Sequence, residues 1–313
     1  MERKDKENMK KRMARDKQVT DRKPRECQLP AKRYRKGRSV YPEDTARFAA
    51  RSGRQGRHDE NERELPADVL VGRNAVLEAL RAGRGINRIF VANGDREGSI
   101  AEILSLAKER GLVIQNVERA KIEALSGGQR HQGVLAYVAP VPYAELEDIL
   151  KAAAEKDEAP FLVLLDELED PHNLGALLRT ADATGVHGIL IPKRRSVSLN
   201  ATVAKTSAGA VEYVPVARIG NIAQTLKALK EKGFWVAGAD MDGEKAYYEA
   251  DLTGPLVLVV GSEGRGMSRL TKEACDFIVS MPMVGHINSL NASVAGSILM
   301  YESMRQRLAK RNC

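Results

Sequence analysis

From about residue 66 onward the chain alternates short apolar runs with amphipathic stretches, a pattern that predicts alternating strands and helices. Ala75, Val76, Leu77 and Leu80 mark the inner face of a short helix that Gly83 would end. A strand over 86–91, a helix over 100–108, a strand over 112–117, a short helix over 121–125 and a strand over 133–138 follow. Residues 161–166 form a continuous apolar run of the kind buried on both faces of a parallel sheet. Further strands are expected at 188–192, 214–216, 234–239, 256–260 and 277–281, with helices over 174–183, 221–232 and 292–308. The fold class expected is α/β, with a mostly parallel sheet in the C-terminal part. The organisation expected is a tail (1–64), a small alternating domain (66–140), a linker with a short helix at 146–153 (141–159), and a second domain (160–313).

Charge changes the picture at one end. Residues 1–64 hold 21 Lys and Arg against 12 Asp and Glu, a net of +9; the whole chain carries +8, so the rest sums to −1. That segment lacks hydrophobic periodicity and cannot bury enough apolar surface to offset its ordering entropy, so a disordered basic tail is expected. Its clusters Lys32-Arg-Tyr-Arg-Lys36 and Arg51-Ser-Gly-Arg-Gln-Gly-Arg57 suit contact with phosphates, a solubilising role being the alternative. No apolar run approaches the roughly 18 residues needed to cross a bilayer, and the polar start does not read as a secretory signal; a cytoplasmic location without membrane contact is expected. Cysteines at 27, 275 and 313 and histidines at 58, 131, 172, 187 and 286 show no ligand spacing, so no metal is expected.

Three segments that follow expected strands carry candidate chemistry. Asp170-Pro-His-Asn-Leu-Gly opens one helix, where Asn173 reads either as an N-cap or as a ligand-facing amide. Arg179 lies off the apolar stripe of Leu174, Leu177, Leu178 and Ala181, with Asp182 three residues on as a surface partner or Glu263 as an orienting one. In Gly261-Ser-Glu-Gly-Arg-Gly266 the glycines let the backbone turn sharply around Glu263 and approach a ligand. Its spacing is not that of a dinucleotide fingerprint, and no P-loop Gly-Lys-Ser/Thr follows, which argues against a nucleotide-dependent dehydrogenase. Ser289-Leu-Asn-Ala-Ser293 opens the last helix, with Asn291 or Ser289 as its cap. Open parallel sheets bind ligands at the carboxyl ends of their strands, so three polar loops there read as one pocket.

These segments resemble the three motifs of the SpoU family of RNA ribose 2′-O-methyltransferases, and look most like bacterial enzymes that modify a guanosine ribose in 23S ribosomal RNA. The family's motif residues fall on Asn173 and Arg179, on Gly261 and Glu263, and on Ser289, Leu290, Asn291 and Ser293. Val71-Gly-Arg-Asn74 and His131-Gln-Gly133 resemble the family's small RNA-binding domain, similar to ribosomal protein L30e. The resemblance implies a catalytic domain with a deep trefoil knot at its C-terminal end, dimerisation through the knot region, and S-adenosylmethionine bound beside Gly261, Gly266, Met281 and Leu290. It places Asn173, Arg179, Glu263, Ser289 and Asn291 in the reaction, and makes Arg73, Asn74, His131 and Gln132 candidates for RNA contact, caps and turns being their alternative reading. The reaction implied is methyl transfer to a ribose 2′-hydroxyl. The alternatives are a tRNA or another ribosomal site as substrate, or a non-catalytic RNA-binding factor in ribosome assembly.

Overall fold

The computed structural model describes residues 65–94, 98–287 and 289–311; the expected basic tail lies outside the described residues. The apolar runs form two sheets. The first holds β1 (Val69–Val71), β2 (Ile86–Ala92), β3 (Ile114–Val117) and β4 (Val134–Val138) in the order β1-β4-β2-β3. β4 runs antiparallel to β1 and β2, and β3 parallel to β2. Helices α1 (Arg73–Arg81) and α2 (Ser99–Glu109) bury Val76, Leu80, Ile100 and Ile103 against Ile89, Val91 and Ala136. On the opposite face Phe90 and Leu135 meet Ile122 of α3 (Arg119–Leu125).

The second sheet is wholly parallel, in the order β7-β6-β5-β10-β8-β11-β9. Its strands are β5 (Phe161–Asp166), β6 (Gly188–Pro192), β7 (Val216–Ile219), β8 (Trp235–Ala239), β9 (Lys245–Ala246), β10 (Leu256–Gly261) and β11 (Phe277–Ser280). Every residue of the central pair β5 and β10 is buried, as their unbroken apolar runs require. Alternate side chains go to opposite layers. Val163, Leu165, Leu258 and Val260 pack with Leu174, Leu177 and Leu178 of α5 (Pro171–Thr184) and with Leu299 and Met300 of α9 (Ala292–Arg311). Leu162, Leu164, Val257 and Val259 pack with Ile149 of α4 (Leu146–Glu155) and with Leu226 and Leu229 of α7 (Ile222–Glu231). Each such side chain contributes on the order of 1.5–3 kcal/mol when fully buried, so the centre of this sheet is the firm platform for the loops at its ends.

Segment 141–159 holds its expected short helix as α4, with Ile149 buried against the sheet and Ala144 bridging to Ala217, so it packs on the second sheet along its length. The structure departs from the sequence reading in several places. The strand expected at 214–216 begins at Val216, because Ala210–Glu212 forms a 3-10 turn just before it. The strand β1, the two-residue β9, and helices α6 (Ala201–Thr206) and α8 (Arg269–Ala274) had no counterpart in the pattern. α6 joins the two sheets, its Ala201 being buried beside Val69 and Val71. Beside it, Arg84 Nη1 meets Glu212 Oε1 at 2.7 Å with both side chains buried, and Tyr213 donates to Glu78 Oε2 at 2.7 Å. Burial raises the Glu212 carboxyl above its ordinary value although Arg84 opposes the shift. No helix among the described residues is long and apolar enough to cross a membrane.

Candidate active site

Sheet order locates the site. From β5 the chain moves outward to β6 and β7, whereas from β10 it moves the other way to β11, so β5 and β10 flank a topological switch point. Crevices over such points, at the carboxyl ends of the strands, are where open α/β sheets take ligands. The loop after β5 leads to Asn173, the loop after β10 holds Glu263, and the loop after β11 reaches Asn291.

These three residues meet. Glu263 Oε1 accepts the side-chain amide of Asn173 at 2.8 Å and also that of Asn291. One carboxylate oxygen therefore ties together segments 90 and 28 residues apart. Asn173 does not cap its helix. Asp170 does so, accepting His172 N–H at 2.9 Å, and Asn173 sits at the third helical position, only 4% exposed. Its Oδ1 accepts no hydrogen bond among the described residues, a buried acceptor open to a ligand hydroxyl. Asn291 caps α9: its Oδ1 accepts Ser293 N–H at 2.9 Å and Val294 N–H at 3.3 Å, which leaves its amide for Glu263.

The glycine turn is tightly built. Ser262 and Gly266 exchange backbone hydrogen bonds at 3.0 and 2.9 Å, and Gly264 and Gly266 sit at φ +77° and +67°. A Cβ on Gly261 would lie 2.2 Å from the carbonyl carbon of Gly266, so no other residue fits there. The half-buried Met281 and Leu290 stand at either end of the loop after β11. The glycine turn and the buried Asn173 amide thus lie on loops that leave the same ends of neighbouring strands. Among the described residues no group of three or more His, Cys, Asp or Glu could hold a metal ion.

Other candidates fall elsewhere. Arg179 is exposed, six residues along α5 from Asn173 and hence about 9 Å further along its axis. Neither Asp182 nor Glu263 pairs with it, and it has no side-chain partner among the described residues. Ser289 is exposed and hydrogen-bonds to none of Asn173, Glu263 and Asn291 among the described residues. At the start of α1, Arg73 Nε donates to Gln132 O at 2.9 Å, Asn74 is exposed, and Gln132 takes the left-handed conformation at φ 52°. His131 is buried: its Nδ1 accepts Gly133 N–H at 3.0 Å and its Nε2 faces Glu123 at 2.8 Å, so it shapes the turn and does not face solvent.

Two carboxylates at the site escaped the sequence reading. Asp166, the last residue of β5 and 1% exposed, accepts Ser268 N–H at 2.8 Å and fixes the end of the glycine turn. Asp240, after β8, pairs with Lys272 at 2.8 Å, which holds that ammonium above its ordinary pKa. The one signal for Asp166 was an acid closing an otherwise apolar strand.

Comparison with known proteins bears directly on this geometry. Residues 160–301 match the model of the SpoU rRNA methylase family, and 69–144 match that of the RNA 2′-O ribose methyltransferase substrate-binding domain. A protein of Bacillus subtilis (strain 168) named as a TrmH-family tRNA/rRNA methyltransferase is 52% identical over 240 residues, 77% of this chain and 96% of its own. The crystal structure of an RNA 2′-O ribose methyltransferase superposes with a TM-score of 0.65 at 26% identity, covering 77% of this chain and 88% of that one. The SpoU methyltransferase AviRb of Streptomyces viridochromogenes, solved in complex with AdoMet, shares the fold with a TM-score of 0.64 at 24% identity, covering 77% of this chain and 90% of its own.

Proposed function

Since the chain belongs to the SpoU family of RNA methyltransferases, whose methyl donor is S-adenosylmethionine, we propose that it methylates the 2′-hydroxyl of a ribose, that of a guanosine in 23S ribosomal RNA. The observation that supports this most is the convergence of Asn173, Glu263 and Asn291 on one carboxylate oxygen over the switch point. That arrangement draws three loops together and leaves Asn173 Oδ1 without a partner among the described residues, an acceptor for a substrate hydroxyl in this reading. Gly261, Gly266, Met281 and Leu290 would hold the cofactor, which supplies an electrophilic sulfonium methyl. The sequence-based trefoil knot at this end of the sheet belongs to the same proposal.

The chain's own groups then have separate tasks. Aligning the ribose oxygen and excluding water account for much of the rate in an in-line displacement. Glu263 serves this by fixing two amides, and Ser289 lies beside them in sequence as a further hydroxyl for the substrate. Arg179 cannot act as a base, because a guanidinium keeps its proton up to a pKa above about 12. Unpaired and exposed, it is suited to bind a phosphate and to stabilise negative charge developing on the attacking oxygen.

A homodimer is part of the reading. Val284 and Ile287 in the loop after β11 are 101% and 66% exposed, and Tyr301 of α9, 49% exposed, lines with Tyr247, Ile298 and Met304 a hollow of about 610 Å3 whose rim also carries Ser297, Glu302 and Arg305. Apolar surface of this kind suits a second copy of the chain. Sedimentation of the wild type as a monomer would overturn it.

The central test is transfer of labelled methyl from S-adenosylmethionine to ribosomal RNA, tRNA and ribosomal particles, with mapping of linkages resistant to alkali. A 2′-O-methyl group blocks attack on the neighbouring phosphate, so one resistant guanosine in 23S RNA is the expected result. A resistant site in tRNA would replace the substrate. No transfer to any of them by a folded protein would favour a binding factor.

A further inference from the structure

The loop between β6 and α6 carries charge that the methyl-transfer site does not use. Lys193, Arg194 and Arg195 follow directly on β6 and are all exposed. The side chains of Lys193 and Arg194 have no hydrogen-bond or ion-pair partner among the described residues. Arg195 Nη1 meets Glu167 Oε1 at 3.1 Å, with the arginine side chain still 75% exposed. Glu167 and Arg195 both take the left-handed backbone conformation, at φ 57° and 54°, which side-chain-bearing residues rarely adopt.

The backbone under these cations is pinned. Val197 N–H donates to Leu168 O at 2.9 Å, and Leu199 N–H to the Tyr143 hydroxyl at 3.0 Å. Three adjacent like charges are therefore held at the surface on a fixed loop. Of the neighbouring acids, Asp170 is engaged in capping α5 and Glu167 in the pair with Arg195, while Glu169 is exposed. The loop starts at the carboxyl end of β6, beside β5 and the segment leading to Asn173. It ends in α6, whose Ala201 is buried against Val69 and Val71 of the small sheet. The loop that carries the cations thus runs from the strand beside β5 to a helix packed on the small sheet.

We propose that Lys193, Arg194 and Arg195 form a phosphate-binding track guiding single-stranded RNA from the small domain to the crevice, with Arg195 exchanging Glu167 for a phosphate on binding. The proposal deepens the RNA-methylation reading and rests on it. The test uses the full chain and a short fluorescent single-stranded RNA of ribosomal sequence, titrated across salt concentrations. In a Lys193→Ala/Arg194→Ala double variant the slope of log affinity against log salt becomes shallower by about 1.4, two contacts at about 0.7 each. Glu167→Gln frees Arg195 and tightens binding up to about fivefold, the range of an exposed ion pair. S-adenosylmethionine affinity, measured calorimetrically, and thermal unfolding serve as the controls for both variants. An unchanged slope in the double variant, or weaker binding by a well-folded Glu167→Gln protein, would overturn the track. Wild-type protein that binds RNA but transfers no methyl group would sink the reaction reading alone.

Discussion

Glu263 offers the sharpest test of the site, because positioning and proton transfer make different demands on it. Glu263→Ala removes the oxygen shared by Asn173 and Asn291. Asn173 is 4% exposed, so its orphaned amide costs about 1–3 kcal/mol, while the exposed Asn291 can turn to water. At about 2–4 °C per kcal/mol for a chain of this size, the midpoint of thermal unfolding falls by about 4–8 °C for a 2 kcal/mol loss. Glu263→Gln keeps an acceptor oxygen and gives up only charge assistance, about 1 kcal/mol per bond. If Glu263 positions the loops, this variant loses about 10–30-fold in kcat/KM, the equivalent of 1.4–2 kcal/mol. If the carboxylate takes the proton of the ribose hydroxyl, the loss reaches about 10²–10⁴-fold. The assay is methyl transfer at saturating cofactor, with cofactor binding measured in parallel. A folded Glu263→Gln enzyme that binds cofactor normally yet has lost about a thousandfold in rate would refute the positioning role.

Other outcomes follow from the packing. Gly261→Ala, whose Cβ would overlap the Gly266 carbonyl carbon, should pry open the turn and weaken cofactor binding at least tenfold in calorimetry, with a smaller loss of stability. Arg307 donates to the carbonyls of Ala159 at 2.7 Å and Gly254 at 2.6 Å and lies over the Phe161 ring, so Arg307→Ala should cost about 3 kcal/mol in urea unfolding without a direct effect on the crevice. His187 accepts Phe161 N–H at 3.1 Å, and burial pushes its imidazole below the ordinary value despite Glu158. The unfolded chain then binds that proton more tightly, so stability is present above about pH 6.5 and is lost as pH falls through the depressed folded value. His187→Gln should abolish this part of the loss in urea melts between about pH 7 and pH 5; an identical pH profile in the variant would exclude it.

Some of this structure could be read from sequence and some could not, for identifiable reasons. β5 and β6 were placed to the residue because their apolar runs are unbroken and sharply bounded. α6 is six residues of Ala, Thr, Val and Lys with no helical period, and β1 is three residues long, so neither carries a local signal. The candidate residues themselves were legible as types and spacings. Their partners were not: Asn173 looked like a cap until Asp170 took that role, and Glu263 lies 90 residues away. His131 was equally ambiguous, because Glu123 and the Gly133 amide, which account for its burial, give no pattern in sequence.

The packing of α5 on α6 has a mechanical consequence. A Cβ on Gly175 would fall 1.8 Å from Thr206 Oγ1, so the two helices are in contact without slack two residues past Asn173. α6 is at the same time wedged beneath β1 of the small sheet. Any side chain larger than hydrogen at position 175 would force α5 and α6 apart, and so shift Asn173 relative to the small sheet.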